Sequence, residues 1–228
     1  MIFFEPDKRD RKRFPHDVFK GLIVPRPIGW VATMSRAGQL NLAPYSFFNG
    51  VSSWPQILAF ASESAKDSQT FAEETGEFTW SMATWALRDK MNLTSAALPR
   101  GQSEFEYAGL ATAPAHIVRP PRVAESPAAL ECRVTQVLRL KDLDGKETGG
   151  SVVFGQVVGI HVDERYVVNG RMDAVAMRPI ARCGYDEYAV IDRVFSIARP
   201  SSGGSAFGGP KTPVAAHVQD APARVAIK

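Results

Sequence analysis

Only two cysteines, Cys132 and Cys183, stand in the 228 residues, and they form no CxxC pair. That excludes a disulfide framework and the usual zinc spacings, and it suits a reducing compartment. Net charge is small as well, at +3, so the bulk electrostatics do not call for a nucleic-acid partner. The one dense basic run, Lys8-Arg9-Asp10-Arg11-Lys12-Arg13, reads as a solvated N-terminal segment. No apolar stretch approaches the ~18 residues needed to span a bilayer. The opening MIFFEPDKRDRKR puts its charges after a short apolar stub, the reverse of a secretory signal. A soluble cytoplasmic protein with no membrane partner is the expectation.

Catalytic signatures are equally sparse. There is no GxSxG elbow, and the four histidines, His16, His116, His161 and His217, show no HExxH spacing. No GxGxxG follows a strand, which removes the dinucleotide-binding βαβ unit. No metal ligand set and no protein acid–base dyad is expected. Cofactor chemistry is what remains, because a flavin carries the redox step itself and asks the protein for position and electrostatics.

What is present is a chain that is 45% hydrophobic, enough for one sizeable core. Pro25-Arg26-Pro27 makes a rigid extended entry. Ile28–Met34, the turn Ser35–Gln39 and the run from Leu40 read as a hairpin. An apolar strand Ile57–Ala61 feeds the polar loop Ser62–Ser68, then a helix to Thr75 with Asp67 or Ser68 as N-cap and Gly76 as terminator. Further strands are expected at Phe78–Met82, Leu130–Leu140 and Val152–Val162, and around Ala181–Tyr185. In Leu130–Leu140, the residues Leu130, Cys132, Val134, Leu138 and Leu140 fall on one face. A longer helix is expected over Trp85–Ala97, and Ser103 with Glu106 has capping-box spacing. Residues 1–23 form the basic segment, 24–198 one domain, and 199–228 a Pro/Gly/Ala-rich tail of disordered composition. The fold class is mainly β with added helices, an antiparallel barrel.

The segment Leu40–Ser68 combines a strand, the aromatic pair Phe47-Phe48, small hydroxyl residues and a Ser/Lys loop that opens a helix. Helix N-terminal N–H groups are unpaired and point outward, so such a loop can cradle a phosphate beside a flat aromatic ligand. The same residues also suit an ordinary β-core with a capped helix, and spacing alone does not separate the two.

Arg26-Pro27-Ile28 with Trp30 and Thr33, Asn41–Phe48, Lys66-Asp67-Ser68, Gly76-Glu77-Phe78, Glu104-Phe105 with Ala108-Gly109-Leu110, and Arg182–Tyr185 with Tyr188 follow one another in a familiar order. On these pieces, over residues 24–192, the sequence resembles the flavin reductase-like proteins, whose domain is the FMN-binding split barrel. The resemblance implies FMN as cofactor, with FAD possible, NAD(P)H as transient donor, a homodimer, and a reduced flavin that either serves a partner monooxygenase or reduces a bound substrate. It implies that Thr33 and the segment Asn41–Phe47, with Asn41, Leu42, Ala43, Pro44, Ser46 and Phe47 as its contacts, line the ring and ribityl chain. Ser62, Lys66, Asp67 and Ser68 would hold the phosphate, with Asn49 and Ser52 nearby. His161, Arg182 and Tyr188 would border the flavin, the nicotinamide or the dimer interface. A carrier or sensor that binds flavin without turnover would use the same cradle.

Overall fold

The computed structural model describes residues 1–198, so the expectation for the tail 199–228 lies outside the described residues. In chain order come helix α1 (Val18–Leu22), β1 (Arg26–Pro27), β2 (Gly29–Met34), β3 (Leu40–Tyr45), β4 (Phe48–Ser53) and β5 (Gln56–Ser62). Helix α2 (Asp67–Thr75), β6 (Glu77–Ser81), α3 (Arg88–Leu93) and α4 (Glu104–Tyr107) follow. Then come the two long strands β7 (Ala128–Lys141) and β8 (Glu147–Val162), and finally β9 (Ile180–Arg182) and β10 (Tyr188–Val190). Among the described residues no helix is long and apolar enough to cross a membrane.

The hairpin is formed as its sequence indicates, with Gly29 opposite Tyr45 and Met34 opposite Leu40. One antiparallel sheet runs β3-β2-β6-β7-β8-β5-β4. Its two edge strands, β3 and β4, are consecutive in the chain and separated only by Ser46 and Phe47. A two-residue link cannot span a flat seven-stranded sheet, since strands stand about 4.8 Å apart. The sheet therefore curls until its edges meet, and the result is a split barrel. At the corner the Ala61 N–H donates to the Phe47 carbonyl at 2.8 Å, tying the edge-to-edge link to β5.

Two cores flank β2. Val31, Tyr45, Phe60, Phe78, Cys132 and Val153 fill the barrel, with Phe60 edge-on to Phe78 at 5.4 Å between ring centroids. Gly155 permits this packing, because a Cβ there would stand 2.3 Å from a Phe78 ring atom. On the other side Trp30, Ala32, Leu42, Met91, Phe105 and Val123 form the core beneath the helical cover. β2 is thus buried on both faces, which is why its two alternating sets are both rich in apolar residues.

Four local expectations change. In β7 the pairing steps from Val134 opposite Gly155 to Gln136 opposite Phe154, leaving Thr135 as the extra residue of a bulge. The faces swap beyond it: Val137 packs against the barrel core while Leu138 and Leu140 are exposed. The expected helix over Trp85–Ala97 is a single 3-10 turn, Trp85–Leu87, followed by α3. Thr94 Oγ1 donates to the Met91 carbonyl and Ser95 Oγ to that of Asn92, a back-bonding that ends the helix. Lys66 occupies the N-cap of α2 with no side-chain cap, and Asp67 is its first helical residue. Ser103 stands at the N-cap of α4, but its hydroxyl makes no capping bond.

Candidate functional site

A cleft of about 570 Å³ opens where β3, the Ser46-Phe47 corner, the loop after β5 and the first turn of α2 converge. Residues 94–98, freed from helix by the early end of α3, form the facing wall, and the β9–β10 turn closes one side. Of the residues indicated by sequence, the structure brings Asn41, Ala43, Pro44, Ser46, Phe47, Lys66, Asp67, Ser68, Arg182 and Tyr188 to this one cleft.

A buried polar chain runs beneath it. Glu104, only 7% exposed, accepts the Asn41 side-chain amide at 3.1 Å and the Leu42 N–H at 2.9 Å. Asn41 in turn accepts the Ser68 hydroxyl. Burial raises the Glu104 carboxyl above its ordinary value, against the lowering effect of these donors. The chain couples β3, α4 and the first turn of α2. With the Ser68 hydroxyl turned inward and no side-chain cap present, the leading N–H groups of α2 are left for the cleft. Lys66 is exposed at that same position, while Asp67 is held by Arg100 at 2.6 Å.

Tyr45 also lines the cleft. Its hydroxyl is buried near Ser62 and Ser68 without a properly formed hydrogen bond, and burial pushes its pKa up. Arg26 braces the opposite end. Its guanidinium donates to the carbonyls of Lys20 (2.7 Å), Ile23 (2.6 Å) and Cys183 (2.9 Å) and lies over the Phe47 ring. One cation thereby fixes α1, the β9–β10 turn and the corner aromatic.

Other indicated residues lie elsewhere. Thr33 is fully buried on β2 opposite Asn41, its hydroxyl without a partner. The Leu42 side chain belongs to the outer core. Ser62 donates to the Ser64 carbonyl at 2.6 Å and so shapes the loop from below. Asn49 and Ser52 sit on β4, where the Asn49 side chain accepts the N–H of Gly50. His161, on β8, places Nε2 2.6 Å from the buried Glu131 and stacks on His116. Glu104 and Arg26 carry no role of their own in the sequence reading, and Tyr45 enters it only as part of the ring-lining segment Asn41–Phe47. A glutamate beside Phe105 in a short capped turn was the available signal for the first.

A family model described as the flavin reductase like domain matches residues 21–175. An uncharacterised protein of Halalkalibacterium halodurans is 33% identical over 201 residues, 86% of this chain and 95% of that one. Among solved structures, nitrilotriacetate monooxygenase component B from Bacillus cereus matches with TM-score 0.79 at 29% identity, over 86% of this chain and 98% of that one. Flavoredoxin of Desulfovibrio vulgaris (Miyazaki F), at 21% identity and TM-score 0.69, covers 78% of this chain and 93% of its own, a likeness of fold.

Proposed function

The chain belongs to the flavin reductase-like family, and from that premise we propose that it is an FMN-binding oxidoreductase that takes hydride from NAD(P)H. The observation that carries the reading is the opening of the uncapped α2 N-terminus, with Lys66 beside it, into the cleft lined by β3. The residues present fit the cofactor. An anion suits free helix N–H groups next to a lysine, and the unpartnered Tyr45 hydroxyl offers a polar atom where one has no protein partner.

In this reading Lys66 and the N–H groups of Asp67 and Ser68 hold the phosphate. The backbone of Ala43 and Ser46 faces the polar edge of the ring, and Phe47 supplies an apolar wall. Bound there, flavin would supply the two-electron redox chemistry. The Glu104–Asn41–Ser68 chain positions the strand and helix that meet at the cofactor, and the wall 94–98 limits water access. Ser52, Asn49 and His161 stand outside the cleft and take no part in this reading.

The likeness to a monooxygenase component B supports delivery of reduced flavin to a separate monooxygenase. The reading extends to a homodimer, supported by the exposed Val51 and Trp54 on and beside the edge strand β4, and to a reducing cytoplasm, supported by two free cysteines.

The test is an absorbance spectrum of the purified protein followed by anaerobic addition of NADH and then NADPH. Flavin bands that bleach with one nucleotide support the reductase and identify its donor. Bands that persist favour a carrier or sensor, and a protein that takes up no FMN overturns the reading.

A further inference from the structure

The polar loop that opens α2 carries two carboxylates of its own, Glu63 and Asp67, and both line the large cleft. A phosphate monoester bound there would add about 1.5 to 2 negative charges at neutral pH. Asp67 is the sharper conflict. It is the first residue of α2, so its carboxylate stands by the same unpaired N–H groups that a phosphate would use. An uncompensated anion at that place weakens the field that draws another one in.

Each carboxylate is met by a cation delivered from outside the loop. Lys20 of α1 places Nζ 3.1 Å from Glu63. Arg100, 33 residues beyond Asp67, donates from Nε at 3.1 Å and from Nη2 at 2.6 Å, both to the single oxygen Oδ1. With the two acids paired in this way, the charge of the exposed Lys66 between them is left for a ligand.

The place of Arg100 is fixed by its surroundings. The Gln102 N–H donates to the Pro99 carbonyl at 3.1 Å, and Gly101 at φ +95° completes the turn that carries the arginine. The guanidinium lies 5.8 Å over the ring of Phe71, a residue of α2 that is only 4% exposed. Asp67 lines the cleft and Arg100 does not, so the arginine reaches the site through that carboxylate. As a brace for the fold the pair is weak. The Arg100 side chain is 61% exposed, and exposed ion pairs contribute little to stability.

We propose that Arg100 is a positioning residue that neutralises Asp67 and so makes the α2 cradle selective for a phosphorylated flavin over the same flavin without its phosphate. The inference rests on the flavin reading for the ligand. A mechanical role would be different: Arg100 stands two residues beyond the wall 94–98, and the ion pair would simply tie that wall to α2. The two roles part in what the loss of Asp67 does. Where charge is the point, removing the carboxylate makes the arginine dispensable. Where the tie is the point, removing either partner does the same damage.

The experiment titrates FMN and riboflavin, followed by flavin fluorescence, into five proteins with their unfolding midpoints measured alongside. They are the unmodified chain, Arg100→Ala, Asp67→Asn, Arg100→Ala with Asp67→Asn, and Arg100→Lys. Arg100→Ala is expected to lose about five- to tenfold in FMN affinity, less at high salt, with riboflavin binding unchanged. Asp67→Asn is expected to bind FMN no more weakly than the unmodified chain. The double variant is expected to recover to within about twofold of it, the non-additivity that a shared charge requires. Arg100→Lys keeps the charge and is expected to retain most of the affinity. The proposal is overturned, with the flavin reading left standing, by any of three results: full FMN affinity in Arg100→Ala, an Asp67→Asn or double variant as weak as Arg100→Ala, or equal losses of FMN and riboflavin. An unmodified chain that takes up neither FMN nor riboflavin overturns the flavin reading itself.

Discussion

Glu104 accepts the side-chain amide of Asn41 at 3.1 Å and the Leu42 N–H at 2.9 Å, and through these bonds a short helical turn fixes the strand and, by way of Asn41 and Ser68, the helix N-terminus that border the cleft. Removing the acceptor leaves the Asn41 amide and the Leu42 N–H unpaired in a buried place. Each such group costs about 1–3 kcal/mol. Glu104→Ala is therefore expected to lower the unfolding free energy of the flavin-free protein by a few kcal/mol and to weaken FMN uptake at least tenfold. Glu104→Gln, which keeps one acceptor oxygen, is expected to fall between. Urea denaturation and a fluorescence titration with FMN check the pair, and an unchanged FMN affinity in Glu104→Ala would remove Glu104 from the site.

A phosphate anchor separates from a ring contact by the ligand used to probe it. Lys66 is exposed and is needed by no buried partner, so Lys66→Ala is expected to leave stability within about 0.5 kcal/mol. Its FMN affinity is expected to drop about tenfold, the loss of one charge-assisted contact worth about 1.5 kcal/mol. Riboflavin lacks the phosphate and is expected to bind both proteins alike. Equal losses for the two ligands would place Lys66 against the ring system instead.

Much of this arrangement is legible before the fold is known, and the reasons are local. The β2–β3 hairpin follows from alternation and a turn in which Gly38 adopts φ +84°, open to glycine at little cost. The α2 start follows from a polar loop ahead of an apolar-periodic run. The β7 faces do not follow, because the bulge at Thr135 is a property of the pairing with β8 and has no mark in the β7 sequence. Nor does the early end of α3. Thr94 has ordinary helix propensity, and it stops the helix because the Trp30 indole, 64 residues earlier, holds its hydroxyl at 2.9 Å. Glu104 is hidden for the same reason: its acceptors are used by a strand far away in sequence, and only the fold brings them together.

Two buried glutamates are expected to respond to pH in opposite directions. Glu131, 1% exposed, carries a burial penalty that is outweighed by hydrogen bonds from the N–H groups of His116, Ile117 and Val118 and from His161, which bring its carboxyl down to about 2. A carboxylate lowered on folding contributes stability that is present above its ordinary value near 4.5 and lost as pH falls toward about 2. Glu104 is raised, so the folded state favours its protonated form; that contribution is present below about 4.5 and lost as pH rises through its elevated value. Unfolding free energies of Glu131→Gln and of the unmodified chain are expected to converge between pH 4.5 and pH 2. A difference that stayed constant over that window would show that Glu131 is not ionised through those bonds.

Inside the barrel Gly155 and Phe78 share one volume. A Cβ on Gly155 would stand 2.3 and 2.5 Å from two Phe78 ring atoms and 3.1 Å from the Cys132 Cβ. The ring is itself fixed edge-on to Phe60 and is fully buried, so it has little room to retreat. Gly155→Ala is expected to destabilise the protein by about 1–3 kcal/mol through overpacking. The double substitution Gly155→Ala with Phe78→Leu is expected to cost less than the sum of the two single changes, because the shorter side chain vacates the space the new methyl enters. Equilibrium unfolding of all four proteins closes the cycle. Strict additivity would mean that the barrel wall moves as a unit and that the glycine is required by the backbone rather than by the ring.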